Sequence, residues 1–267
     1  MTGLIMGELV PGIPDDEYHA HPALSSSGAK RLLECPASFK HSLAEPFTAD
    51  HLDHGHIIHE LILGEGHGFV VVDGNRNAKA VKERIEEVRA EGKTPVKSDD
   101  LATCRRAADA VLKHPVIGDW FTRPGTSEIS GLVTDPTTGV QMRARFDRLT
   151  EDDGRPVILD VKSTKGSTHP RDVGRAIATY GYHVSAAYYL RVARLLGLDD
   201  VEFRLVFTSK AGPYEAHAYT LAADDLDRAF EDVDRALDLH RQCTAHNEWP
   251  CLHPALTEAR MPYYPAS

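Results

Sequence analysis

From residue 127 to residue 164 apolar, β-forming runs are separated by turn-like sequences, the pattern of short strands. SEISGLVTD, the turn DPTTG, VQMRARFDRL, the turn EDDGRP and VILDVKST together predict a three-stranded meander. The pattern then changes. A long helix is expected from about Arg171 to Leu196, ended by Gly197, and VEFRLVFTS and YEAHAYTL form a hairpin across Lys210-Ala211-Gly212-Pro213. DDLDRAFEDVDRALDLHRQC gives a final helix. The first third reads mainly helical. In LSSSGAKRLLECPASFKHSL a helix begins near Ser26 or Ser27 and Pro36 interrupts it. HLDHGHIIHELILG carries Leu52, Ile58, Leu61 and Ile62 on or near one side. Residues 77–91 and 98–114 supply two more polar-faced helices, with Ser98 as a cap. These elements predict an α/β chain whose central order is helix, three strands, helix, strand.

Composition adds limits. With 267 residues, 42% apolar and 26% charged, the chain can bury a sizeable core, and it is read as one domain, 1–267. It has no run long enough for a membrane span, and its N-terminus lacks a signal-peptide core, so a cytoplasmic, membrane-free protein is expected. Cys35, Cys104, Cys243 and Cys251 are scattered without a C-x-x-C, which argues against a disulfide framework or a zinc ribbon. A net charge of −10 excludes coating of nucleic acid by bulk electrostatics. Residues 141–175 nevertheless hold eight Lys/Arg against six acids, so this stretch is +2 and the remainder −12.

That stretch also carries the candidate chemistry. On a strand, Asp160 and Lys162 point to the same face. A structural ion pair at a sheet edge would account for them. The EDDGRP turn, however, sets Asp147 within about one residue of opposite Asp160, where paired Cβ atoms lie roughly 5 Å apart. Two carboxylates so close repel, and a divalent cation relieves the repulsion. Oxygen donors favour Mg²⁺ or Mn²⁺. Glu128 starts the preceding strand and projects toward the same end of the sheet. A lysine facing such a site stabilises negative charge developing on phosphorus, which points to phosphodiester hydrolysis. His59, on a helix, is a further candidate ligand, although HIIHE is not the H-E-x-x-H pattern of zinc proteases. His54, His56 and His67 are given no role.

With these residues in place, the run from Asp147 to ILDVK at 158–162 resembles the PD-(D/E)xK nuclease motif. YHAHPALSSSGAKRLLECPASF at 18–39, GHIIHELILG, YGYHVSAAYYL at 180–190 and NEWP resemble stretches of the RecE-type exonucleases, the exodeoxyribonuclease VIII family with its phage relatives. The likeness covers about residues 14–252. It implies a PD-(D/E)xK core, αβββαβ, a mixed central sheet flanked by helices. Residues 1–115 would form a mainly helical N-terminal part and residues 120–240 the nuclease core. It also implies that His59, Asp147, Asp160 and the Val161 carbonyl bind the metal, that Lys162 is catalytic, and that Glu128 is an additional acid. Tyr182 and Tyr189, seven apart on one helical face, would meet DNA or pack in the core. Relatives carry Gln four residues before the tyrosine equivalent to Tyr189, and here that position is Ser185, a shorter side chain.

The activity implied is a Mg²⁺-dependent exodeoxyribonuclease, 5′ to 3′ on linear double-stranded DNA in phage-type recombination, with Mn²⁺ as a substitute ion. The resemblance also implies a homo-oligomeric ring and a single-strand annealing protein as partner. Two other readings stay open: a catalytically weak DNA-binding or assembly module, and a restriction-type endonuclease. The related Cas4-type nucleases hold an iron–sulfur cluster on one early and three late cysteines. The third late cysteine is missing here, which argues against a cluster. Finally, Ser26, Ser27 and Lys30 at a helix start suggest a 5′-phosphate contact, the alternative being that the serines only cap the helix.

Overall fold

The structure is a computed structural model and describes residues 3–44 and 53–251. In chain order the elements are β1 (Leu9–Val10), α1 (Asp15–Ala20), α2 (Ser26–Glu34), α3 (Pro36–Ala44), α4 (Asp53–Leu63), β2 (Phe69–Val71), α5 (Lys79–Ala90), β3 (Thr94–Val96), α6 (Ser98–Leu112), α7 (Ile117–Thr122), β4 (Gly125–Thr134), β5 (Gln141–Asp152), β6 (Arg155–Thr164), α8 (Pro170–Tyr180), α9 (Tyr182–Leu195), β7 (Glu202–Ser209), β8 (Ala216–Tyr219) and α10 (Ala223–His246). Leu52, assigned to the apolar side of the histidine-rich helix, lies outside the described residues.

A six-stranded sheet, ordered β1-β4-β5-β6-β7-β8, organises the fold. It is antiparallel except between β6 and β7, which the α8–α9 crossover makes parallel. The expected helix, three strands, helix, strand order is therefore present as a mixed sheet flanked by helices. VILDVKST is an interior strand: the Asp160–Lys162 ion pair forms, but inside the sheet and not at the edge expected for it. Alternation along β6 sends Val157, Leu159 and Val161 into the core beneath α4 and α6, and Ile158 into the core beneath α2, α9 and α10. Asp160 and Lys162 share the Ile158 side.

Two boundaries differ from the sequence reading. The helix expected from Arg171 to Leu196 is two helices, because Gly181 adopts the left-handed conformation (φ 63°) and caps α8. A Cβ at Gly181 would also come 2.8 Å from Lys30 Cδ. Ser98 is not the cap of α6. Lys97 holds that position, and the Ser98 amide and hydroxyl both bond to the Asp73 carboxylate.

The N-terminal segment is braced on β5 by two arginines. Arg143 donates to the Ala23 carbonyl and lies over the Tyr18 ring. Arg145 lies 4.2 Å from the centre of the same ring, donates to Ile13 O and pairs with Asp15. Arg148 donates to Trp120 O and Arg123 O, and Arg155 pairs with Asp200 and Glu202. Much of the positive charge of residues 141–175 is thus committed to the protein itself. Lys165, Arg171 and Arg175 remain exposed.

Candidate active site

Strand register places the acids. Ser127 pairs with Arg148 and Ile129 with Phe146, so Glu128 stands across from Asp147. Arg148 pairs with Leu159 as the β5–β6 ladder ends, so Asp147 and Asp160 stand opposite each other where the strands part. In place of a backbone partner, the Val161 amide donates to Asp147 Oδ2 at 2.7 Å. Regular alternation fails here: Phe146 and Leu149, three residues apart, pack on the same core. Glu128 is itself irregular, with a φ of 50° that a non-glycine residue rarely adopts in a strand.

α4 contributes the imidazole. Ile57, Ile58 and Ile62 anchor the helix in the core, and Asp53 in its first turn pairs with Arg89 at 2.8 Å. His59 then reaches the gap between strands, with Nε2 2.8 Å from Asp147 Oδ2 and Nδ1 3.3 Å from Glu128 Oε1. One ligand atom each from His59, Glu128 and Asp147 lies within 4.8 Å of the others. Asp160 stands outside this triad and meets Lys162, whose Nζ is 2.5 Å from Asp160 Oδ2 and 3.3 Å from the Val161 carbonyl. Asp160 Oδ2 is buried, and the Lys162 ammonium is the charge set against it.

The electrostatics follow from burial and proximity. Burial, reinforced by Asp147, raises Glu128 to about 7. Burial also pushes Asp160 up against the pull of Lys162. Burial would raise Asp147 too, but His59, Lys162 and the Val161 amide hold it below the ordinary carboxylate value. Desolvation opposes charge on Lys162, and Asp160 and Asp147 outweigh it, so the ammonium stays protonated. His59 is raised in the same way, desolvation being overcome by Asp147 and Glu128. An oxygen-dominated donor set with one imidazole fits a hard divalent cation.

The residues named for DNA contact part company. Ser25 caps α2, its hydroxyl accepting from the Gly28 amide at 3.1 Å. Ser26 is buried and donates to Ser185 Oγ at 3.0 Å, so its hydroxyl is not available to a phosphate. Ser27 is exposed. Lys30 donates to Tyr180 O at 3.2 Å and stands 5.7 Å from the centre of the Tyr182 ring. Desolvation, with Lys162 nearby, lowers its pKa. Tyr182 borders the site, with Lys162 Nζ 5.3 Å from its ring centre. Tyr189 instead packs on Phe146 and Phe203, and burial raises its hydroxyl well above the ordinary value, as for a core aromatic.

Past the end of β6 a cavity of about 450 Å³, lined by Thr164, Ser167, Arg175, Thr179, Tyr180 and Phe207, lies beside rather than around the acids. Sequence reasoning passed over Arg145, 3.8 Å from Glu128, although Arg143 and Arg145 two apart on one strand face were a readable signal. The fold sets the free thiols of Cys35 and Cys251 near enough for a hydrogen bond and buries Cys104 and Cys243. No helix among the described residues is long and apolar enough to cross a membrane.

A model of the PDDEXK-like domain of unknown function (DUF3799) matches residues 25–253. Curated proteins give no match. Among solved structures, a candidate exonuclease from Eubacterium rectale superposes with a TM-score of 0.64 at 13% identity, over 97% of each chain. At that identity the likeness shows the fold. SSO0001 (TM-score 0.32, 12% identity, 68% of this chain and 84% of that one) and VC1899 from Vibrio cholerae (0.26, 10%, 89% and 58%) overlap too little to carry an argument.

Proposed function

Since the chain belongs to the PDDEXK-like family DUF3799, we propose that it is a metal-dependent DNA nuclease that removes nucleotides from the ends of linear duplexes. One observation carries this reading. His59, Glu128 and Asp147 converge at the gap between strands where Asp160 and Lys162 also face. The description of the Eubacterium rectale protein supports the exonuclease form over a restriction endonuclease or a non-catalytic DNA-binding module.

In this reading Asp147, Asp160, His59 and the Val161 carbonyl hold a divalent cation, Mg²⁺ with Mn²⁺ as substitute, and Glu128 supplies a further oxygen. When bound, such an ion offsets negative charge developing on the phosphoryl group and makes a water more acidic. Lys162 faces the same place with its ammonium charged and adds electrostatic stabilisation. Asp147 keeps its carboxylate ionised through His59 and the Val161 amide. Lys30, near Lys162 and Tyr182, would contact the backbone phosphate at the 5′ end.

Polarity from 5′ to 3′, a homo-oligomeric ring, an annealing-protein partner, phage-type recombination and a cytoplasmic location extend the proposal on the resemblance of sequence. Linear duplex labelled at one 5′ end, or at one 3′ end, tests it. Early release of the 5′ label in short products with Mg²⁺ supports the reading, and early release of the 3′ label rejects the polarity. Internal fragments of defined length reject the exonuclease in favour of an endonuclease.

A further inference from the structure

Lys162 stands on atoms that the proposed nuclease reading gives to a cation. Its ammonium is 2.5 Å from Asp160 Oδ2 and 3.3 Å from the Val161 carbonyl. In this arrangement it neutralises a buried carboxylate that would otherwise lack a partner. A divalent cation that takes Asp160 through Oδ2, the oxygen Lys162 holds, must remove that contact. The displaced ammonium then needs another favourable surface, because its side chain is only 22% exposed.

The Tyr182 ring is that surface. Its centre is already 5.3 Å from Lys162 Nζ, within the range of a cation–π contact. The ring is held by its neighbours, edge to face with Phe207 at 6.0 Å and beside Tyr180 at 5.6 Å. It opens α9 directly after Gly181, whose left-handed turn fixes where the helix starts. Lys30 reaches the same ring, 5.7 Å from its centre, and is tied to the Tyr180 carbonyl.

We propose that Tyr182 is a positioning residue: the face of its ring holds the Lys162 ammonium when Asp160 turns to a divalent cation, keeping the lysine at the reacting phosphate. The proposal rests on the nuclease reading and assigns a ring face, not a phenol hydroxyl, to the task. In the metal-free protein Lys162 therefore competes with the cation for Asp160, and Tyr182 relieves that competition.

Calorimetric titration of Mn²⁺ into the full chain without DNA, alongside kcat and KM on linear duplex, tests it. Lys162→Met removes the competitor and tightens Mn²⁺ binding. Tyr182→Leu weakens Mn²⁺ binding and lowers kcat, each by about five- to tenfold, with KM little changed. Tyr182→Phe restores both, because it keeps the ring. In a Lys162→Met background the effect of Tyr182→Leu on Mn²⁺ affinity disappears, since the two act through one contact. Circular dichroism establishes folding, and Tyr182→Met replaces the Leu variant if that variant does not fold. The proposal is overturned if Tyr182→Phe is as damaging as Tyr182→Leu, or if the Leu effect persists without Lys162. Wild-type binding of Mn²⁺ with no change in Tyr182→Leu rejects this proposal alone, whereas no binding by the wild type rejects the nuclease reading with it.

Discussion

Glu128→Gln should stabilise the metal-free protein at pH 8 and do so several-fold less at pH 5. The carboxyl is held by burial and by Asp147 at about 7, against an ordinary value of 4.5. Below pH 4.5 it is protonated in both the folded and unfolded chain, and folding carries no penalty. As pH rises, the unfolded chain releases its proton first, so stability falls until about pH 7 and then levels off. From 4.5 to about 7, at about 1.4 kcal/mol per pH unit, the ceiling is roughly 3 kcal/mol. The side chain keeps 23% of its surface exposed, and His59 loses a partner in the variant. About 1 to 2 kcal/mol is therefore expected, or roughly 3 to 6 °C in Tm for a chain near this size. The φ of 50° is common to both proteins and cancels. Thermal melts in chelator at pH 5 and pH 8 read the difference directly. A shift of the same size at both pH values would refute the electrostatic account, as would a lower Tm for the variant at pH 8.

Lys162→Ala should reduce kcat by about two to three powers of ten without weakening cation binding, and unfolding with no specific effect on turnover would return Lys162 to a purely structural role. His59→Ala should weaken Mn²⁺ binding measured by calorimetry, with partial recovery of cleavage at high Mn²⁺. His56→Ala should matter less, because His56 is absent from the triad, and equal losses in both would refute the choice of His59. Degradation of 5′-phosphorylated linear duplex should outpace that of 5′-hydroxyl duplex, with Lys30→Ala narrowing the gap. Indifference of the wild type to the 5′ group would remove Lys30 from end recognition.

The sheet was legible because β4, β5 and β6 are β-rich runs bounded by turn sequences, and β6 continues into a crossover. The parallel pair β2–β3 was not, since three residues each, one of them Pro95, carry too little pattern. β1 has two residues and depends on β4 for its existence. Gly181 sits in an otherwise periodic run, and only its positive φ separates α8 from α9. The approach of Asp147 to Asp160 followed from the EDDGRP turn, because hairpin geometry fixes register locally. The bonding of Ser26 to Ser185, 159 residues apart, did not follow from any local rule, and it removed a hydroxyl that local reasoning had offered to phosphate. The irregular backbone of Glu128 was equally hidden, for strand pattern assumes the regular dihedrals that this residue breaks.

Asp160 is the point on which the account turns, as it faces Asp147, is buried and pairs with Lys162. The direct test incubates linear and closed-circular duplex with Mg²⁺, using wild type, wild type with chelator, and Asp160→Ala. The account predicts progressive loss of the linear DNA alone by the wild type, none with chelator, and none by Asp160→Ala, whose DNA binding by gel shift is retained. Full cleavage by Asp160→Ala, or undiminished cleavage in chelator, would contradict it.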